Sequence, residues 1–380
     1  MFEVSVAESI VDIDEGIWES LASESHFLSY GWLKTLEETA VEDVSPVYHL
    51  LERHGEVLAA AVCWMSDKFN PHDRVNQFIL GRLEQPARML GITFNPSVRF
   101  GPLHGYGEHI LVKDGLPADA HLACVEELVS AAEAEATRRG LPLFFVNVSE
   151  MERDLCDTLR RRGYHATMAH PKNRLDVKWD SFEEYLDDKR TITAKHRREF
   201  RFQIKKNAQA GVTIRELDKV DQEERLYQLL CGHYHRLNGV SYPYCSNLFS
   251  VMKGNLGKDV TITVAEKQGG IVAVAVTFQR AATGWVSFVG LDYESTRDDF
   301  SYFNIAYYDV IRRAIARGLS TLYYGDMMYW VKKRRGCVLE QSYIFHKGCN
   351  PLVHGVLRPW FRLHKVWYQK RKIPRALIRK

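Results

Sequence analysis

The stretch Tyr307-Tyr-Asp-Val-Ile-Arg-Arg-Ala-Ile-Ala-Arg-Gly-Leu-Ser-Thr-Leu-Tyr-Tyr-Gly-Asp326 decides the fold. Its apolar residues recur at helical spacing, Gly318 stops the helix, and a short buried strand follows. The stretch Glu127-Leu-Val-Ser-Ala-Ala-Glu-Ala-Glu-Ala-Thr-Arg-Arg-Gly-Leu-Pro-Leu-Phe-Phe-Val-Asn-Val148 has the same order, with Gly140 standing 178 residues before Gly318. Each copy leads to a basic helix end, Leu159-Arg-Arg-Arg-Gly163 and Val331-Lys-Lys-Arg-Arg-Gly336. Upstream, two strands about a turn at His54-Gly55 match two strands about a turn at Gln268-Gly-Gly270. Two α/β units of one design, each about half of the chain, explain both echoes.

Composition sets the outer limits. With 380 residues, 46% hydrophobic and 26% charged, the chain can bury two cores and is neither disordered nor fibrous. No basic segment precedes an apolar one at the N-terminus, and no apolar run approaches the roughly 20 residues that span a bilayer. Neither export nor an integral membrane span is expected, and the chain reads as cytoplasmic. Its seven cysteines are scattered and include no Cys-x-x-Cys pair, which fits reduced thiols and gives no zinc site. The net charge of +3 hides an asymmetry. Residues 189–206 hold eight Lys or Arg against one acid, and residues 341–380 hold ten and no acid, leaving an acidic remainder. That distribution favours polyanionic partners.

The pattern predicts a first unit over residues 1–177, a second over 178–345 and a basic aromatic tail over 346–380. An irregular stretch, 66–107, contains glycines at 101, 105 and 107. A helix over 120–139 and a strand over 143–148 follow. After Trp179 a helix capped by Asp180 or Ser181 runs into a basic helix over 193–210 and a further helix over 222–237. An antiparallel meander over 260–265, 271–279 and 284–290 precedes a helix over 304–317, a strand over 321–325 and a helix over 330–335. This order resembles the GNAT acyltransferase fold, a mixed, mostly antiparallel sheet flanked by helices.

The halves are joined by Trp179-x-Ser-Phe-x-x-Tyr-Leu and then Lys195-His-Arg-Arg-x-Phe-x-x-x-Ile-Lys-Lys-x-x-x-x-Gly211. Tandem GNAT-like units so joined resemble the Fem-type ligases, aminoacyl-tRNA-dependent transferases of peptidoglycan cross-bridge synthesis, whose relatives include natural-product acyltransferases. Lys332-x-x-x-Gly336 resembles the family's Lys-x-x-Phe-Gly element, with Arg335 in place of the phenylalanine. The resemblance implies that Lys332 lies against the acyl ester of the donor. It places Lys195, Arg197, Arg198, Arg201, Lys333, Arg334 and Arg335 against the donor. Arg236, followed by Leu-Asn-Gly, resembles an arginine that holds acceptor phosphates, and Trp32 and Lys34 resemble an early Trp and Lys of the acceptor site.

Such a fold works by direct attack of an amine on an activated ester, so the protein positions two substrates, removes a proton and stabilises an oxyanion. The chain has no Gly-x-Ser-x-Gly elbow, no P-loop and no His-Glu-x-x-His helix. Lys332 suits the electrostatic role, and Asp326 and Asp292, each after a strand, are the candidate bases. His233 and His235 fall on opposite sides of a helix and read as satisfied or solvated. No resident cofactor is expected. The turn 290–304 holds four acids and no internal glycine, a poor pyrophosphate cradle, which favours charged tRNA over acyl-CoA as donor. In the tail, Trp360, Phe361, Trp367 and Tyr368 alternate with Arg358, Arg362, Lys365, Lys370, Arg371 and Lys372. Such a segment stacks on tRNA bases, lies on an anionic membrane surface, or packs on the second unit. The expected activity is aminoacyl transfer from aminoacyl-tRNA to an amine, hydroxylamine or peptide amine. The alternatives are an acyl-CoA-dependent N-acyltransferase and a non-catalytic RNA- or membrane-binding protein.

Overall fold

A computed structural model describes residues 2–66, 68–90 and 92–372. The chain divides into two compact units, one of residues 2–37, 42–171 and 340–372, the other of 38–41 and 172–339. Each is built on one mixed sheet. In the first the strand order is Glu3–Ala7, Ser45–Arg53, Glu56–Ser66, Ser97–Phe100, Leu143–Ser149, Ser342–Lys347 and His165–Met168, with Leu111–Val112 also paired to the third strand. In the second it is Thr213–Glu216, Val260–Lys267, Gly270–Arg280, Thr283–Leu291, Thr321–Tyr323, Lys172–Asp176 and Val338–Glu340. Both begin with four antiparallel strands and then take one parallel step three residue pairs long, 98–100 beside 143–145 and 283–285 beside 321–323.

The repeat extends to backbone chemistry. His54 and Gly55 have φ of 55° and 77°, and Gln268 and Gly269 have 53° and 80°, so both hairpins close on two left-handed residues whose twist matches the strands. A bulge follows one step inside each, at Leu51/Glu52 and at Ala265/Glu266. Helix Ala118–Arg139 ends with Gly140 bonding back to Thr137 and Leu141 to Ala136; helix Asp309–Ala316 leads to Gly318 bonding to Ile315 and Leu319 to Ala314. The same paired closure recurs at Gly163-Tyr164, on Arg160 and Leu159, and at Gly336-Cys337, on Lys333 and Lys332. A glycine at the left-handed position lets each helix satisfy its last carbonyls and turn into the sheet.

The structure divides at 171/172 and 339/340, whereas the sequence placed its divisions at 177/178 and 345/346. The reason is an exchange of strands. Lys172–Asp176 follows the first unit in sequence but pairs with Thr321–Tyr323 of the second. Ser342–Lys347 follows the second unit but inserts between Leu143–Ser149 and His165–Met168 of the first. The tail helix Pro351–Trp367 goes with it, burying Leu357 and Phe361 among Ile79, Phe94 and Phe144 of the first unit. Residues 373–380 of the tail lie outside the described residues.

In the second unit, helix Glu223–Asn238 crosses the meander where Gly290 offers no side chain. A Cβ there would come within 2.6 Å of the Leu229 carbonyl carbon. Gly290→Ala therefore forces the helix off the sheet and lowers stability by about 1–3 kcal/mol, read from urea unfolding. A change within about 0.5 kcal/mol, the range of an indifferent surface site, contradicts this packing.

Candidate active site

Strands Thr283–Leu291 and Thr321–Tyr323 pair only as far as Trp285 and Tyr323. Past that point a cavity of about 350 Å3 is lined by Val286, Ser287 and Phe288 from one chain segment and by Tyr324, Asp326 and Lys332 from the other. Thr277 faces Val286 while Val276 faces Phe288, so Ser287 is the extra residue of a bulge, a device that re-aims side chains. Helix Glu223–Asn238 adds His233 and Tyr234, and the π-helical segment Asn304–Tyr308 adds Ala306 and Tyr307. Every lining residue belongs to the second unit.

After Tyr323 the chain turns through Gly325, Met327 and Met328, whose φ values are 63°, 59° and 49°. Two non-glycine residues in this region cost about 1–3 kcal/mol each and need support from their surroundings. The support comes from helix Tyr329–Lys333. Lys332 is buried, and its Nζ reaches back to donate to Tyr324 O at 2.5 Å and Asp326 O at 2.6 Å. An ammonium has three N–H groups; two hold the turn and the third is left for the cavity. Burial pushes the Lys332 pKa down to about 8, opposed by the negative charge of Asp326. At neutral pH the group is mostly an ammonium. In the first unit the residue four before the corresponding glycine is Leu159, wholly buried in an apolar core. The charged position is peculiar to the second unit.

Asp326 lines the cavity; Met328, not Asp326, stands at the helix N-cap position. Asp292 does not share this place. Its Oδ1 accepts from the backbone N–H of Glu294 and Ser295 and its Oδ2 from Arg225 Nη2 at 3.0 Å. Burial works to raise its pKa, but the bonds from Ser295 and Arg225 hold it below the usual carboxylate range. It closes a turn and is not among the residues that line the cavity. His233, read from sequence as solvated or satisfied, faces the cavity with its Nδ1 bonded to Tyr293 OH at 2.9 Å. Burial, and then the charge of Arg236, depress its pKa and favour the neutral imidazole. Arg236 lies over the Tyr293 ring, 4.1 Å from its centroid. Sequence reasoning also missed Tyr242 and Tyr324, which line the cavity and whose hydroxyls are buried without a hydrogen-bond partner among the described residues. No sequence signal separates such tyrosines from core aromatics.

Of the cations assigned to the donor, Lys195, Arg198 and Lys333 are exposed. Arg201 is exposed and pairs with Asp187 at 2.7 Å. Arg197 donates to Ile192 O, and Arg334 pairs with Glu199. Lys195, Arg197, Arg198 and Arg201 stand on helix Ala194–Gln209, whose buried stripe is Phe200, Gln203 and Asn207. Trp32 is buried against His26 and Phe27 in the first unit, and Lys34 is half-buried there; neither lines the cavity.

Arg335 is a correction. It is 2% exposed and cannot reach a phosphate. Its guanidinium sits 4.5–5.2 Å from the ring centroids of Phe200, Phe303, Tyr307 and Tyr308, and donates to Tyr308 OH at 2.8 Å and Val331 O at 3.0 Å. Among the described residues it makes no ion pair. The cation thus occupies an aromatic cage where a phenylalanine would also fit. A buried charge is commonly replaced by an apolar group of similar volume at no loss, whereas truncation leaves a cavity. Arg335→Phe should therefore hold the unfolding midpoint or raise it. Arg335→Ala should lose about 2–4 kcal/mol. Equal losses in chemical denaturation contradict the cage.

The positions suited to a pyrophosphate are filled. At the start of helix Ser301–Phe303 the Ser301 N–H donates to Asp299 Oδ1 at 2.9 Å, while Asp299 Oδ2 accepts from Lys267 at 2.9 Å. A carboxylate already occupies the amide that an anion would use. In the first unit, a Cβ on Gly101 would come 2.4 Å from the His109 ring and one on Gly105 2.3 Å from Phe27. Those glycines admit protein side chains.

Known proteins agree with this architecture. The FemAB-like family, described as peptidoglycan biosynthesis/recognition, matches residues 9–371. Among solved structures, FemX is similar at a TM-score of 0.58 and 10% identity, covering 93% of this chain and 100% of that one. The C-terminal domain of a putative lysylphosphatidylglycerol synthetase from Agrobacterium fabrum gives 0.58 and 10%, covering 95% and 98%. A tandem GNAT protein from the clavulanic acid biosynthesis pathway gives 0.51 and 11%, covering 92% and 99%. No curated protein matches. Two GNAT-like units, the order of their motifs and a family match across nearly the whole length lead to one conclusion: the chain belongs to the FemAB-like family.

Proposed function

We propose that this chain is an acyltransferase that moves an aminoacyl group from a charged tRNA to an amine, in the cavity of its second unit. The observation that carries the reading is Lys332, a buried ammonium fixed by two carbonyls at the wall of a cavity that also holds Asp326. The acceptor nitrogen attacks the ester carbonyl carbon, and a C–N bond forms as the carbonyl becomes an oxyanion. The third N–H of Lys332 offsets that charge. The Asp326 carboxylate takes the proton from the attacking nitrogen and returns it to the ribose oxygen as the C–O bond breaks. The products are an amide and free tRNA, and no covalent enzyme intermediate is needed.

Donor choice follows from charge. The exposed cations of helix Ala194–Gln209 suit a polyanion, while the Ser301 amide is already taken by Asp299. A tRNA donor places the reaction in the cytoplasm, which suits seven unpaired cysteines. The family description and the likeness to FemX favour a peptide amine of a peptidoglycan precursor as acceptor.

Because the reaction uses the protonated form of Lys332, the transfer rate should hold below pH 8 and fall as pH rises through about 8. Lys332→Gln should lower turnover by about 10²–10³-fold and abolish that limb, with tRNA binding by filter retention little changed. Full turnover in the variant removes Lys332 from the mechanism. Tyr324→Phe removes a buried hydroxyl that has no partner among the described residues and should hold the unfolding midpoint or raise it. A lower midpoint contradicts an unpartnered hydroxyl.

A further inference from the structure

The tail helix Pro351–Trp367 has three faces where an ordinary amphipathic helix has two. At about 100° per residue, Leu357, Phe361 and His364 share one side, and all three are buried. That side is fixed to the first unit. Trp360 Nε1 donates to Ile79 O at 3.2 Å, and His364 bonds to Thr167 Oγ1 at 2.7 Å and Phe78 O at 3.1 Å. A second side, about 130° round the helix, carries Leu352, Val356 and Leu363, which are 81%, 76% and 62% exposed. Between the two sides Arg358, Arg362 and Lys365 form a row. Phe361 and Tyr368 are buried, so they offer no surface on which a base could stack.

Single exposed leucines are ordinary. A helix that has already buried one apolar side and turns a second to solvent is not, and it has company. Ala87 of helix Glu84–Met89 packs on the same apolar cluster, while Met89 and Leu90 are 88% and 78% exposed.

Charge selects what covers this surface. Helix Pro351–Trp367 holds Arg358, Arg362 and Lys365 and no acid. A second copy would bring the same positive charge against it, and RNA would meet the cations while leaving the leucines in water. An anionic phospholipid surface provides headgroup phosphates for the arginine row and an acyl boundary for the leucines. No described helix is long and apolar enough to cross a membrane, so the segment would lie in the interface. We propose that helix Pro351–Trp367 docks this protein on an anionic phospholipid surface through Leu352, Val356 and Leu363, with Arg358 and Arg362 binding headgroups.

The test is sedimentation of the full-length chain with vesicles of phosphatidylcholine alone or mixed with phosphatidylglycerol. The protein should bind the mixed vesicles, and both Leu352→Asn/Val356→Asn/Leu363→Asn and Arg358→Gln/Arg362→Gln should weaken binding at least about tenfold. High salt should act through the arginines and so weaken the wild type more than the arginine variant. Three results overturn the proposal: no binding to phosphatidylglycerol vesicles; binding untouched by the triple change; or a triple change that breaks up a dimer, or weakens tRNA binding, while vesicle binding stays the same. Should the triple variant fail to fold, the arginine variant decides, and binding insensitive to it and to salt is a refutation.

Discussion

A buried ammonium must have oxygen around it, and that requirement organises the second unit. Lys332 Nζ finds its oxygens on Tyr324 and Asp326, which face it only because the chain turns left-handed directly after a three-residue strand. The Tyr324 ring stacks on Tyr307 at 5.0 Å, tying the turn to the π-helical segment. Tyr307 is also one wall of the cage around Arg335, three residues beyond Lys332. Gly336 then closes the helix where a Cβ would meet Thr191 Cγ2 at 2.3 Å. One charge, two carbonyls and a ring of aromatics thus position Asp326 and the cavity wall together.

The two units share a sheet plan and diverge at this point. Leu159 and Lys332 hold the same place before the closing glycine, one sealing an apolar core and the other facing a cavity. The three cations that follow Leu159, Arg160, Arg161 and Arg162, pair with Asp157, Glu126 and Glu133 of the same unit. The same position of a repeated fold meets a cavity in one copy and apolar packing in the other.

Much of the scaffold was legible in the sequence because its signals are local. Gly140 and Gly318 mark helix ends that the backbone requires, and His54-Gly55 and Gln268-Gly269 mark hairpins of matching geometry. The strand exchange was illegible, since Lys172–Asp176 and Ser342–Lys347 carry no local mark of the sheet they join. Lys332 and Asp326, expected from a motif and a strand end, both line the cavity of the second unit. Arg335 was misread because a cation among cations looks like surface, and only the rings of Phe200 and Phe303, far away in sequence, show otherwise. His233, Tyr242 and Tyr324 were missed because they come together only at a cavity created where two strands part. Phe361 and Tyr368, for which base stacking, a membrane surface and packing on the second unit were all open, are buried in the first unit.

The central claim is that the second-unit cavity accepts an aminoacyl ester carried by tRNA. The most direct measurement follows radiolabelled amino acids from a mixed pool of charged tRNAs into RNase-resistant small products, with purified protein and a cell extract as acceptor source. The account predicts enzyme-dependent product that disappears when the tRNA is digested beforehand. Label appearing instead from acyl-CoA under the same conditions, with none from charged tRNA, would contradict it.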